Sequence, residues 1–367
     1  MRVLRVGVSD FRNYERAELS LGAGLTVICG PNGAGKTNLL EALYFGASGR
    51  SCRTSNEREC VRAGQGLTRV VLDTEDEHGD RHRLEVGFAP GEPKHMKVDG
   101  AAVERLADSS SRPLVSVFLP DRLELVKGAP ALRRAHLDQV VTALRPSRAA
   151  TRAAYWRALA QRNALIARVR GGHSSPSLLD QWDAELARHG IELMSDRRAV
   201  VAELEEPFAR LAAELGLHRS PQLRYRPRSR AAGPDELATE LAERREEDLS
   251  RGFTAHGPHR DDVALSHDGR SLRAYGSQGQ QRVALLALLF AEREVLTAHS
   301  RPLLMLLDDV MSELDLERRE RLIELVRSGG QAVITTTDPE HVPGARSPDV
   351  LLVRVNDAAV LSEAQAA

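Results

Sequence analysis

The stretch "GPNGAGKT", Gly30 to Thr37, sets glycines, one lysine and one hydroxyl at the spacing G-x-x-x-x-G-K-[ST]. Glycine lets the backbone come close enough to wrap its N–H groups around phosphate oxygens. The apolar run "LTVIC" before it and the helical pattern "NLLEALYF" after it supply the strand and helix that such a loop requires. The positive end of that helix favours an anion. In this pattern Lys36 reaches the β and γ oxygens of a nucleoside triphosphate and the Thr37 hydroxyl can bind Mg2+. The candidate contacts are Gly30, Pro31, Asn32, Gly33, Ala34, Gly35, Lys36, Thr37 and Asn38. Lysine is scarce in this chain, standing only at positions 36, 94, 97 and 127 among 51 basic residues. A lysine retained against that bias points to a chemical need for an amine at position 36.

A phosphate loop needs a carboxylate at the end of a buried strand to hold the metal. "LLMLLDD" ends in Asp308 and Asp309. Carboxylates beside such an apolar run are costly without a partner or a cation. Asp308 is the expected Mg2+ ligand together with Thr37. Asp309 is placed to orient or deprotonate an attacking water. Lys36, Asp308 and Asp309 form the expected catalytic set. A third feature is "YGSQGQQR", where Ser277, Gln278, Gly279 and Gln280 open an almost wholly apolar helix. A helix end of small polar residues is a second anion-binding element. Ser277 and the Gly279 amide can donate to a γ-phosphate.

The elements that position these residues are legible as patterns. "MRVLRVGV" and "AELSL" alternate as half-buried strands, and "LTVIC" reads as a central buried one. A helix is expected from Lys36 to Ala47. Strands are expected in "LTRVVLDT", "HRLEVGFA", "KHMKVDG" and "PLVSVFLP". From Pro130 to Leu215 the signal is helical, broken by "GGHSSPS" at 171–177, which suggests two antiparallel helices. Pro207 should kink or break the second. "RSPQLRYRPRSRAAGP" reads as a loop-rich connector and "PDELATELAERREEDL" as one helix. "DVALSHDGRSLRA" reads as a hairpin, followed by the apolar helix, the strand "PLLMLLDD", a helix from Asp315 to Ser328, and strands in "QAVITTT" and "DVLLVRV". The tail "EAQAA" should be frayed. The expected fold is α/β, a mixed sheet with helices at both ends of the chain, 1–125 and 250–367, split by an all-helical insertion at 126–249.

The net charge is -1, so any contact with nucleic acid must come from local patches. Cys29, Cys52 and Cys60 match no metal-ligand spacing and are odd in number, which argues for a reduced, cytoplasmic chain. The longest apolar run, Val283 to Ala291, is too short for a bilayer, so no membrane is expected.

The order of motifs resembles the ABC ATPase class: phosphate loop, inserted arm, Ser-x-Gly-Gln-type signature, strand with acidic pair, then "SELD". In that class two heads meet head to tail and one head's signature closes over the other's nucleotide. Finer features resemble the RecF family, which is related to SMC heads: "FRNYERAEL" before the phosphate loop, "GRSCRT", "KGAPALRRAHLD", "HGPHRDD" and "YGSQGQQR". The resemblance implies an ABC-type P-loop ATPase head and a homodimer formed on ATP. It implies binding to duplex DNA at gaps or single-strand–duplex junctions, a weak DNA-stimulated ATPase, partners RecR and RecO, and RecA loading as the outcome. It also assigns Ser277, Gln278, Gly279 and Gln280 as the signature and Asp315 as a dimer-contacting carboxylate. Relatives often place a switch His where Thr335 to Thr337 stand, and transporter-type heads place a Gln where "PDR" stands at 120–122. An SMC-like or ABC ATPase subunit coupled to another partner is the alternative. A transporter subunit would carry the missing Gln and His, and a small-molecule kinase has no use for the signature.

For DNA contact, Arg145, Arg148, Arg152, Arg157, Arg162, Arg168 and Arg170 form an acid-free row, but helical spacing spreads them around the axis, and a solvated surface fits equally. Arg50, Arg53, Arg219, Arg224 and Arg226 are further candidates. His256, His259 and Arg260 read as a satisfied polar turn, or as nucleotide-linked structure, rather than a metal site. Trp156 and Trp182 are expected in the core.

Overall fold

The computed structural model describes residues 1–106, 109, 111–312 and 314–362, with Asp121, Leu361 and Ser362 described by backbone alone. The tail expected to fray lies outside the described residues, as does Glu313 of "SELD". In chain order the elements are β1 (Arg2–Phe11), β2 (Tyr14–Ser20), β3 (Leu25–Cys29), α1 (Lys36–Ser48), β4 (Thr68–Glu75), β5 (Arg81–Phe88), β6 (His95–Val98), β7 (Ala101–Val103) and β8 (Leu114–Phe118). There follow α2 (Glu124–Lys127), α3 (Pro130–Leu144), α4 (Ala149–Arg170), α5 (Leu179–Glu214), β9 (Gln222–Arg226), α6 (Pro234–Glu243), α7 (Arg245–Arg251), β10 (Asp262–His267), β11 (Arg270–Ser271) and α8 (Leu272–Tyr275). The last elements are α9 (Gln278–Ala298), β12 (Leu303–Leu307), α10 (Leu316–Arg327), β13 (Ala332–Thr336), β14 (Val350–Asn356) and β15 (Ala359–Ser362).

Two compact units form, Met1–Arg122 with Leu296–Ala367, and Leu123–Val295. The first holds two sheets. One is antiparallel, in the order β2-β1-β4-β5-β6-β7; the other is mixed, in the order β15-β14-β3-β13-β12-β8, with β15 its antiparallel edge. The apolar runs of β3, β12 and β13 are buried at every residue, as parallel strands covered on both faces must be. Helix α1 packs against β1, β4 and β5 of one sheet and β8 and β13 of the other. It therefore buries Leu39, Leu40, Leu43, Phe45 and Ala47 around its whole circumference.

The second unit contains the helices expected as a hairpin, but there are three of them, α3, α4 and α5. Pro207 does not end α5, which runs unbroken for 36 residues. Its missing N–H is tolerated because Leu204, Phe208 and Leu211 on either side are fully packed. The connector expected as loop contains β9, an edge strand paired with β10, so the inserted lobe is not purely helical. Alternation in "QLRYR" was the available signal, with Leu223 buried between outward polar residues. The helix expected from Pro234 to Leu249 is two helices, α6 and α7. The division expected at residue 249 falls at Val295, because β10 pairs with β9 and the 256–262 segment bonds to α4 and α5. The hairpin at "HDGR" turns through Asp268 and Gly269, both at positive φ.

The 256–262 segment is a buried polar lock, as expected. Arg197 donates to Asp138, to Asp261 and to the Pro258 carbonyl. His256 meets Glu240 at 2.6 Å. The His259 ring meets the Tyr155 hydroxyl at 2.7 Å and the Thr254 carbonyl at 2.9 Å. Burial, with the charges of Arg260, Arg134 and Arg162, pushes the His259 pKa down to about 4. An unfolded histidine titrates near 6.5, so the folded state resists protonation. The stability this provides is full above that value and is lost as pH falls toward about 4. The loss amounts to about 3 kcal/mol at most. A His259→Gln variant should flatten that part of the pH–stability curve measured by urea unfolding; an unchanged slope would refute the assignment.

Candidate nucleotide site

The carboxyl ends of β3, β12 and β13 and the first turn of α1 surround a cleft lined by the phosphate loop, Arg53, Pro120, Asp308, Asp309, Thr335 and Thr337. The loop geometry requires glycine at two points. Gly35 sits at φ 110°, and a Cβ there would lie 2.6 Å from the Tyr14 hydroxyl. A Cβ on Gly30 would lie 2.0 Å from the Val355 carbonyl oxygen. The Pro31 carbonyl accepts from the Ala34 amide and the Ala34 carbonyl from the Ala358 amide, which fixes the turn from both sides. Gly33 and Asn32 are exposed at the rim.

Lys36 is buried, and its ammonium group donates to the carbonyls of Gly30 at 2.7 Å and Pro31 at 2.9 Å. Burial lowers its pKa, with Asp308 and Asp309 acting in the opposite direction. The Thr37 hydroxyl lies 2.9 Å from both carboxylate oxygens of Asp308. The Thr335 hydroxyl donates to Asp308 at 2.6 Å and accepts from the Asp309 amide at 3.0 Å. Burial is the largest effect on Asp308 and raises its pKa, although both hydroxyls pull the other way. Thus Lys36, Thr37, Asp308 and Asp309, read from segments 270 residues apart, converge on one cleft. Asp309 holds the left-handed conformation, φ 46°, at the cleft edge. Thr335 stands between the two aspartates.

Asn38 takes part in a second layer. It donates to Asn13 at 2.8 Å and accepts from Arg53 at 2.9 Å. Behind it Glu41, fully buried on α1, accepts two hydrogen bonds from Arg12 and one from Ser51. Burial opposes the Glu41 charge, but Arg12 and Ser51 outweigh it and hold its pKa below the usual carboxylate range. Glu41 and Arg12 were not singled out in the sequence; an acid within "NLLEALYF", on an otherwise apolar helix, was the available signal.

The donor set fits the implied groups. One buried carboxylate with raised pKa beside one hydroxyl suits a divalent cation completed by phosphate oxygens and water. No group of three His, Cys, Asp or Glu residues among the described ones could hold a metal alone. The glycine cradle and the Lys36 amine suit a polyphosphate.

The signature residues lie in the other unit. Ser277, Gln278 and Gly279 are exposed and Gln280 is half-buried. The Ser277 Oγ accepts from the Gln280 amide at 3.2 Å, and the Gln280 side chain accepts from the Ser277 amide at 2.9 Å. This reciprocal cap fixes the mouth of α9, whose Val283 to Ala291 run is buried throughout. Asp315 caps α10 by accepting from the Arg318 amide at 2.9 Å and is otherwise exposed.

Sheet order and cleft together define an ABC-type P-loop ATPase head. The model of the RecF/RecN/SMC N terminal domain matches residues 2–358. The DNA replication and repair protein RecF of Myxococcus xanthus is 40% identical over 100% of this chain and 98% of its own length. That of Anaeromyxobacter sp. is 41% identical over 97% of each. The chain therefore belongs to the RecF family. The solved structure of "the recombination mediator protein RecF-ATP in RecFOR pathway" is 27% identical, with a TM-score of 0.86 over 99% of this chain and 98% of that one. No helix among the described residues is long and apolar enough to cross a membrane.

Of the arginine row, Arg145 pairs with Glu203, Arg148 with Asp196, Arg152 with Asp138, and Arg162 with Asp183 and Asp248. Those four hold helices together. Arg157, Arg168 and Arg170 stay exposed. Trp182 is half-buried, but Trp156, expected in the core, is 41% exposed, because its position on α4 lies on the face that no other element covers.

Proposed function

We propose that this chain is an ATP-dependent recombination mediator. It dimerises on binding ATP with Mg2+, binds duplex DNA at gaps or junctions, and with RecR and RecO promotes RecA loading; hydrolysis then resets the clamp. The observation that carries the reading is the convergence of Lys36, Thr37, Asp308 and Asp309 in one glycine-built cleft, in a chain whose signature serine is exposed at the mouth of a separate helix.

In this reading Lys36 exchanges its two carbonyl partners for phosphate oxygens, and the loop amides hold the remaining charge. Thr37 and Asp308 hold Mg2+, which neutralises the developing phosphate charge when bound. Asp309 orients a water, and the Thr335 bond to its amide fixes where that carboxylate starts from. An aspartate reaches less far than a glutamate, which suits slow hydrolysis in a switch. Ser277 to Gln280 cap the γ-phosphate held by a second copy, with Asp315 at the contact between copies.

Lys36→Arg tests the cleft. A planar guanidinium does not fit where the ammonium meets two carbonyls below 3 Å. ATP-driven dimers, measured by sedimentation, should be absent in this variant. If the unmodified protein stays monomeric with saturating ATP and Mg2+, the proposal fails.

A further inference from the structure

We infer that the outer face of the β9–β10–β11 sheet is the duplex-DNA site, with Arg224, Arg226 and Arg228 forming a row that contacts backbone phosphates. The inference rests on the reading of the chain as DNA-binding and deepens it by stating where the duplex lies.

β9 is an edge strand whose pairing runs to β10. Along it exposure alternates: Leu223 is buried and Tyr225 half-buried, while Arg224 and Arg226 are exposed. The alternation continues past the strand, with Pro227 half-buried and Arg228 exposed. Side chains two apart in extended chain point to one face, about 7 Å from one another. Arg224 and Arg226 therefore share one face of the strand, and Arg228, exposed at the bend that follows, extends the basic run. Beside them on β10 stand Ala264, opposite Arg224, and Ser266, both small, so a rigid backbone can approach closely.

Charge decides the occupant. No Asp or Glu occurs between Glu214 and Asp235. The one carboxylate across the ladder, Asp262 opposite Arg226, is already engaged by two hydrogen bonds from Arg133. Among the described residues none of the three arginines has an ion-pair partner. The arginine row from 145 to 170 differs, since four of its arginines are consumed by internal pairs. Like charges held side by side repel one another, and a polyanion of fixed geometry relieves that repulsion. Guanidinium groups also match phosphate oxygens bidentately.

The test is a salt series of duplex binding with ATP and Mg2+ present, comparing the parent with R224A/R226A/R228A. Each lost phosphate contact lowers the slope of log K against log salt by about 0.9, so the variant should be shallower by about 2 to 3 and bind at least ~10-fold more weakly at low salt. Nucleotide binding should match the parent, as for substitutions of exposed side chains without partners. Lysine at the same three positions should restore most of the slope. R157A/R168A/R170A on α4 should leave it unchanged. A parent-like slope in the β9 variant, or a loss confined to the α4 variant, overturns the assignment while leaving DNA binding intact. If the parent itself binds no duplex, the broader function fails and this site with it.

Discussion

Ser277→Arg is expected to bind ATP within about twofold of the parent and yet to form no ATP-dependent dimer. The serine is exposed, so the monomer has room for the larger side chain. It is not among the residues that line the cleft with Lys36 and Asp308, so a copy's own nucleotide should bind as in the parent. In the dimer proposed above the same position faces a γ-phosphate held by the other copy, and an arginine there would block approach. Steric exclusion or a poorly paired buried charge costs several kcal/mol, and ~3 kcal/mol is already about 100-fold in the dimerisation constant. The variant also loses the bond from the Gln280 amide, worth about 1 kcal/mol. Ser277→Asn keeps a capping oxygen and separates the two effects: it should fold like the parent and dimerise weakly. Equilibrium sedimentation with ATP and Mg2+ decides the matter. A fully dimeric Ser277→Arg protein would remove the trans role of the signature.

Arg197→Ala should destabilise the second unit by about 3 to 5 kcal/mol, read as a shift of its urea midpoint. Its side chain is wholly buried. It donates to both oxygens of Asp138 at 2.8 and 3.1 Å, to Asp261 at 3.3 Å and to the Pro258 carbonyl at 2.7 Å. Burial opposes its charge, but the Asp138 bonds outweigh burial and hold its pKa above the usual range. Burial also raises the pKa of Asp261, so that carboxylate depends on its donors, Tyr225, the Arg228 amide and Arg197. Truncation leaves two buried carboxylates short of a cation. Arg152 also meets Asp138, at 3.2 Å, but is over a third exposed, and Arg152→Ala should cost under ~1 kcal/mol. Equal midpoints for the two variants would contradict the lock.

The phosphate loop and the acidic pair, which converge on one cleft, were legible because each fixes its chemistry within a few residues of chain. β3, β12 and β13 were legible because strands covered on both faces read as nearly continuous apolar runs, interrupted here only by Thr26, Thr335 and Thr336. β9 was hidden by its arginines and by Pro227, which read as loop composition, and only the partner strand β10 gives its alternation a meaning. Pro207 misled because propensity speaks for an isolated helix, whereas α5 is held by packing along its length. Arg145, Arg148, Arg152 and Arg162 could not be assigned from spacing, since their partners Glu203, Asp196, Asp138 and Asp183 lie elsewhere in the chain. Glu41 was invisible for a related reason: an acid on a buried helix face makes sense only once Arg12 and Ser51 arrive from other segments.

Helix α1 is clasped between two sheets, and its leading turn shapes the nucleotide cradle. Its amide protons should therefore be among the slowest in the chain to exchange with deuterium, even before any ligand arrives. A cradle held this firmly by its own packing spends little entropy on capture. What the arriving triphosphate must overcome is local and chemical, the two carbonyl contacts that the lysine has to surrender.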